Sequence, residues 1–235
     1  MPVNLETLPK TMQSLSRVEN NGNILPVPWF VQWIDGKPEF RAMDFDKFSR
    51  AINEKRCWVC GEKRGVYSTF VVGPMCGINR ISSEPPSHNE CAKWSAVNCP
   101  FLSNPRMVRR EDDGINNAHL VENSAGQAIA RNPGVILLWT TRQFEILKVP
   151  NGILFQMGEP ESVAWYANGR EASRTEVVES VRTGLPNLQL LAQQQDDETP
   201  GNIRLAMMQL KKSCDYFERF LPANQFTSYD DVPLM

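Results

Sequence analysis

Five of the six cysteines in this 235-residue chain, and one of its two histidines, fall between Cys57 and Cys99. Nothing else in the sequence restricts the fold as strongly. Cys57 and Cys60 are spaced C-x2-C and followed by Gly61. Two thiolates so spaced meet one ion while the backbone turns tightly, and a glycine allows the turn a positive φ. Val66 to Val72 are mostly β-branched or aromatic, which predicts a strand. Gly73-Pro74 breaks it, and Cys76 follows. Ser87 and Glu90 have capping-box spacing, which predicts a helix starting at His88. His88 and Cys91 then share one face of its first turn, where the positive end of the helix dipole favours thiolate.

These spacings make Cys57, Cys60, His88 and Cys91 the preferred metal-ligand set. Cys76 competes with His88 for the fourth position, so a four-cysteine set stays open. Cys99 lies past the expected helix end, as a buried thiol or part of an alternative site. A C-x2-C with a downstream H-x2-C points to structural zinc, and a histidine at the helix start favours zinc over an iron–sulfur cluster. A thioredoxin-like redox pair fits poorly, because Cys57 follows a charged, helical segment and Gly61 stops helix beyond it.

Knuckle, strand and a helix whose first turn carries two more donors: this order resembles a treble-clef zinc finger. Treble clefs also host HNH-type nucleases, which need a catalytic histidine beside a divalent metal. Here His88 is assigned to the metal, and His119 sits in a polar loop, so that chemistry lacks its base. A second resemblance rests on longer runs. Leu25-Pro-Val-Pro-Trp-Phe-Val31, the Cys57-to-Gly61 knuckle, Gly73-Pro-Met-Cys76 with Asn79-Arg80, Glu84-Pro-Pro-Ser-His88 with Cys91-Ala92 and Ser95, and Cys99-Pro-Phe-Leu102 resemble an uncharacterised family of phage- and bacterium-borne proteins. Arg131-Asn-Pro-Gly-Val135, Pro150-Asn-Gly152, Gly169-Arg170 and Arg174-x-Glu176-Val177 extend it over residues 25–190. The resemblance implies a bacterial or phage cytoplasmic setting and no particular activity.

The net charge of −2 conceals an asymmetry: −1 over residues 1–49, +6 over 50–110 and −7 over 111–235. A basic metal-bearing segment suits nucleic acid, with Arg106, Arg109 and Arg110 as the phosphate-contact candidates. The acidic C-terminal half and its amphipathic last helix suit a protein partner, from the host or the phage. No Ser/His/Asp set, phosphate loop or paired carboxylates stand out. His88-Asn89-Glu90 matches the H-x-E of zinc deaminases, but the C-x2-C pair precedes it instead of following, so the likeness is local. The function expected is therefore zinc-dependent, non-enzymatic binding of nucleic acid. The alternatives are an interaction or inhibitor protein aimed at a host factor, and a metal-dependent hydrolase or nuclease. No apolar run approaches the ~18 residues of a membrane span, and the N-terminus lacks a secretory pattern, which predicts a cytoplasmic protein without a membrane partner.

The fold class expected is α+β: a treble-clef-like module plus a small antiparallel sheet with C-terminal helices. Residues 1–24 read as irregular, with a helical turn near Thr11 to Ser16. Residues 25–104 form the zinc module with its flanking hairpin and helix. Residues 105–130 read as a polar linker, 131–221 as the sheet followed by helices, and 222–235 as a flexible tail. Within 131–221, four strands up to Ala167 suggest a meander, with a hairpin turn at Asn151-Gly152. Ser173 and Glu176 make a second capping box, and that helix is expected to stop at Gly184. The last helix opens at Thr199-Pro200, with Ile203, Met207, Leu210, Cys214, Phe217 and Leu221 on one face.

Overall fold

The chain is α+β in a computed structural model, which describes residues 3–20, 22–104, 134–194 and 200–223. The linker 105–130 with Arg106, Arg109, Arg110 and His119, the Thr199 cap and the tail beyond Ala223 lie outside the described residues.

The first residues are more ordered than their polar composition suggests. A 3-10 turn at Lys10–Met12 is followed by a hairpin of β1 (Arg17–Asn20) and β2 (Asn23–Pro26). Asn20 pairs with Asn23, and Gly22 between them is left-handed at φ 75°. The Asn21-Gly22 dipeptide is a strong hairpin signal in the sequence; the flanking strands are only four residues each, too short to show a clear alternation. β3 (Val31–Ile34) and β4 (Lys37–Met43) form a second hairpin on Asp35 and Gly36, both left-handed at φ 49° and 74°. α1 (Phe45–Asn53) starts at Asp44, whose carboxylate accepts from the Lys47 amide at 3.1 Å.

Next come β5 (Ser68–Val72), α2 (Pro74–Asn79), β6 (Ile81–Ser82) and α3 (Asn89–Asn98). The proline that ends β5 also opens α2, because Pro suits a first helical turn. The second half holds β7 (Ile136–Thr141), β8 (Phe144–Val149), β9 (Gly152–Met157), β10 (Pro160–Ala167), β11 (Arg170–Glu171), α4 (Arg174–Gln194) and α5 (Pro200–Phe217).

The four strands expected as one meander divide between two sheets. One has the order β11-β10-β7-β5, and the other β6-β9-β8. The cause lies in β7, whose six residues are all buried. A strand covered on both faces belongs at a sheet centre and needs two neighbours. Its second neighbour is β5, from the cysteine-rich half, with Phe70 opposite Trp139. β8 is buried far less along its length and pairs with β9 outside that sheet. Their register puts the turn at Pro150-Asn151, one residue before the dipeptide expected.

Alternation along β7 builds three layers. Leu137 and Trp139 face one way, into a core with Phe70, Trp165, Val177, Val181, Leu210, Cys214 and Phe217, so α4 and α5 cover that face. Ile136 and Leu138 face the other way, against Ala92 and Ala96 of α3. α5 therefore docks on the sheet, and Cys214 is a packing residue whose thiol burial pushes up to about 11.

The second capping box forms. The Glu176 carboxylate accepts from the Ser173 amide at 2.9 Å, and the Glu176 amide donates to the Ser173 hydroxyl at 3.3 Å. Arg170 adds a two-pronged pair to the same carboxylate at 2.7 and 2.9 Å. Arg170 foremost, with the Ser173 bonds, holds Glu176 down at about 2 against an ordinary 4.5. A depressed carboxylate contributes stability above its unfolded pKa and loses it as pH falls through the folded one. Glu176→Gln is thus expected to unfold at lower urea than wild type at neutral pH, with the gap closing as pH drops from 4.5 toward 2. Gly184 does not stop α4, because it does not take the left-handed conformation that ends helices. It is a contact point: a Cβ there would sit 3.1 Å from the Met75 sulfur of α2.

Candidate metal centre

The knuckle is built by backbone bonds. The Cys57 amide donates to the Glu62 carbonyl at 2.7 Å, and the Gly61 amide returns to the Cys57 carbonyl at 2.9 Å. Gly61 is left-handed at φ 78° and lies against the Trp29 ring, which a Cβ would approach to 2.6 Å. Conformation and space both demand glycine there.

The other two donors are placed by β5. Thr69 and Ser87 exchange both backbone bonds, at 3.0 and 2.8 Å. This fixes the approach to α3, sets His88 at its N-cap and puts Cys91 in the first turn. The capping box expected of Ser87 and Glu90 is not made. Ser87 is extended in the bridge to Thr69, so the helix begins one residue later, at Asn89, with no side-chain cap. Glu90 instead accepts the Thr11 hydroxyl at 2.9 Å.

One donor atom from each of Cys57, Cys60, His88 and Cys91 lies within 4.8 Å of all the others, so the four could hold a metal ion. His88 Nδ1 is 3.4 Å from Cys60 Sγ and 3.8 Å from Cys91 Sγ. A tetrahedron with metal–sulfur bonds of ~2.3 Å and a metal–nitrogen bond of ~2.0 Å has S–N edges of about 3.5 Å. The two His88 edges therefore match a four-coordinate ion of that size.

The surroundings aim these donors. His88 Nε2 is 3.2 Å from the Lys63 carbonyl, which fixes the tautomer with the proton on Nε2 and leaves Nδ1 to face the sulfurs. Cys57 Sγ accepts from the Cys60 and His88 amides at 3.5 and 3.3 Å. Without metal the cluster shares protons. Bonds from the Cys57 and Cys60 sulfurs push His88 up to about 10. Hydrogen bonds to Cys57 and Cys60 push the Cys91 thiol up. Burial opposes ionisation of Cys57, but bonds from Cys60, Cys91 and His88 outweigh it and the thiol falls below its ordinary value. A bound metal would take the place of these protons.

One part of the site lay outside the sequence reading. Leu8 and Met12 pack into a cluster with Cys57, Val59, Cys60, Cys91 and Trp94, flanked by Val3, Leu5 and Leu15. The Thr11 hydroxyl lies 3.3 Å from Cys91 Sγ. The opening segment, read as irregular, thus caps the sulfurs. Its signal was the spacing of Leu5, Leu8, Met12 and Leu15, which is helical.

Cys76 lies on α2, apart from the four clustered residues, and Cys99 caps the end of α3. Among the described residues no helix is long and apolar enough to cross a membrane. Comparison with family models, curated proteins and solved structures finds no match to this chain.

Proposed function

We propose that the chain is a zinc-stabilised, non-enzymatic binding protein. The observation that carries this reading is the closed donor set: four protein ligands converge, and Cys57, Cys60 and Cys91 are at most 5% exposed. A site with four protein ligands keeps no open position for substrate, so its metal stabilises the fold instead of activating water. Knuckle, bridged strand and a helix bearing two donors at its start support the treble-clef description. The motif resemblance supports a phage or bacterial setting.

Nucleic acid is the first target reading. Of the seven basic residues from 50 to 104, Arg50, Arg56, Arg64 and Arg80 are engaged in intramolecular bonds, whereas Lys55, Lys63 and Lys93 are exposed. Near Lys63 in the chain, Val66 and Tyr67 are 68% and 48% exposed, and the Arg142 guanidinium lies 5.2 Å from the Tyr67 ring centroid. Aromatic rings flanked by cations stack bases while meeting phosphates. The test is binding of single-stranded DNA and RNA across a salt series. Affinity that falls with salt and drops with Tyr67→Ala and Lys63→Glu supports the reading; binding that ignores salt, or none, removes it. A protein partner is the second reading, favoured by Trp33 and Phe40, 42% and 39% exposed on the separate β3–β4 hairpin. A co-purifying protein lost on Trp33→Asp would mark it.

A further inference from the structure

Arg64 is 8% exposed, and no carboxylate pairs with it among the described residues. Its Nε donates to the Arg56 carbonyl at 3.1 Å, and a terminal nitrogen donates to the Ser68 hydroxyl. Its guanidinium carbon lies 5.6 Å from the centroid of the Phe144 ring. A buried cation among neutral acceptors alone is costly, so the fold needs a negative charge nearby. The Arg56–Lys63 bridge brings Arg64 alongside the knuckle, and its own amide donates to the Lys55 carbonyl at 2.8 Å. Burial pulls the guanidinium below its ordinary value, and the Arg56 carbonyl it holds at 3.1 Å belongs to the peptide that leads into Cys57. Arg56 also reaches the knuckle, donating to the Gly61 carbonyl at 2.9 Å, but its charge is already balanced. Arg56 is paired with Glu54, and Lys63 is exposed.

Three thiolates and a neutral imidazole around a divalent ion leave one net negative charge. We infer that Arg64 is the built-in counter-charge of the metal centre: its buried guanidinium balances that single charge and favours the three-thiolate, metal-loaded site. This rests on the zinc reading above. It gives Arg64 a positioning role in metal retention, distinct from ligation, and it explains why a basic residue is buried in a module otherwise short of buried charge.

The test compares wild type, Arg64→Lys and Arg64→Gln. Zinc content is measured after purification without added metal, then affinity by competition with a chromophoric chelator at neutral pH. Arg64→Gln is expected to bind zinc about 10- to 100-fold more weakly, the usual span for groups just outside the ligands. Arg64→Lys keeps the charge and is expected to stay within a few-fold of wild type. Equal affinity in wild type and Arg64→Gln overturns the inference. So does Arg64→Lys as weak as Arg64→Gln, because hydrogen-bond geometry would then be the cause. If Arg64→Gln does not fold with excess zinc, Arg64→Met, which keeps the contact with Phe144, replaces it. Failure of both neutral variants while Arg64→Lys folds and loads supports the inference, and failure of Arg64→Lys as well overturns it. Wild type without zinc removes the metal reading itself, a separate result.

Discussion

Cys57→Ser is expected to cost the chain its metal and the folded structure of the cysteine-rich region. Cys57 is fully buried at the middle of the donor cluster and accepts two backbone amides. Binding of a structural zinc contributes about 10–16 kcal/mol of apparent free energy at neutral pH. A whole domain is stable by only about 5–15 kcal/mol. The metal is therefore comparable to the net stability, and a chain that cannot hold it does not stay folded in this region. The effect is graded by donor. His88→Ala leaves three thiols and opens a position to water, so it is expected to retain metal more weakly. Cys76→Ser touches none of the four donors and is expected to change stability by no more than about 0.5 kcal/mol. Metal content and thermal melting, with and without a chelator, separate the three. Loading at neutral pH also releases protons, because the metal-free site holds one on His88, raised to about 10. Acid consequently reverses loading.

Trp139→Ala is expected to be the most damaging change away from the metal, at about 3–5 kcal/mol by the usual cost of truncating a buried tryptophan. The side chain is 0% exposed on the central strand, edge-on to Phe220 at 5.1 Å. Its indole N–H also donates to the Gly158 carbonyl at 2.9 Å, tying β7 to the turn between β9 and β10. Trp139→Phe keeps a ring and removes that bond, so it is expected to cost less, nearer the ~1 kcal/mol of one hydrogen bond plus some packing. Urea unfolding of the two variants separates volume from hydrogen bonding. A loss in Trp139→Ala no larger than in Trp139→Phe would show that the surrounding helices collapse into the space.

The four residues the structure brings together are those to which spacing pointed, because C-x2-C and H-x2-C encode geometry within one or two turns of chain. The start of α3 was misread for the opposite reason. Ser87 has the right neighbour at Glu90, but its backbone is committed to Thr69 on β5, a partner that local pattern does not show. The same holds for Gly184, which reads as a helix end until Met75 is placed against it. The meander failed because the second neighbour of β7 comes from before the linker, and no pattern within residues 135–167 encodes that strand. In the opening segment the apolar spacing was present, and its polar setting masked it. Local chemistry was legible; long-range pairing was not.

The pairing of β5 with β7 has a consequence in time. Every donor, together with the segment that caps the sulfurs, lies before residue 92, whereas β7 begins at Ile136. On a growing chain, made at ~5–20 residues per second, seconds pass between the last donor and the first residue of the strand that completes the sheet. During that interval the Thr69–Ser87 bridge, together with any ion the four donors hold, keeps β5 in place with one edge still unpaired. Unpaired strand edges recruit other chains. On the zinc reading, metal supply during synthesis is expected to set how much of the product reaches the folded state and how much aggregates.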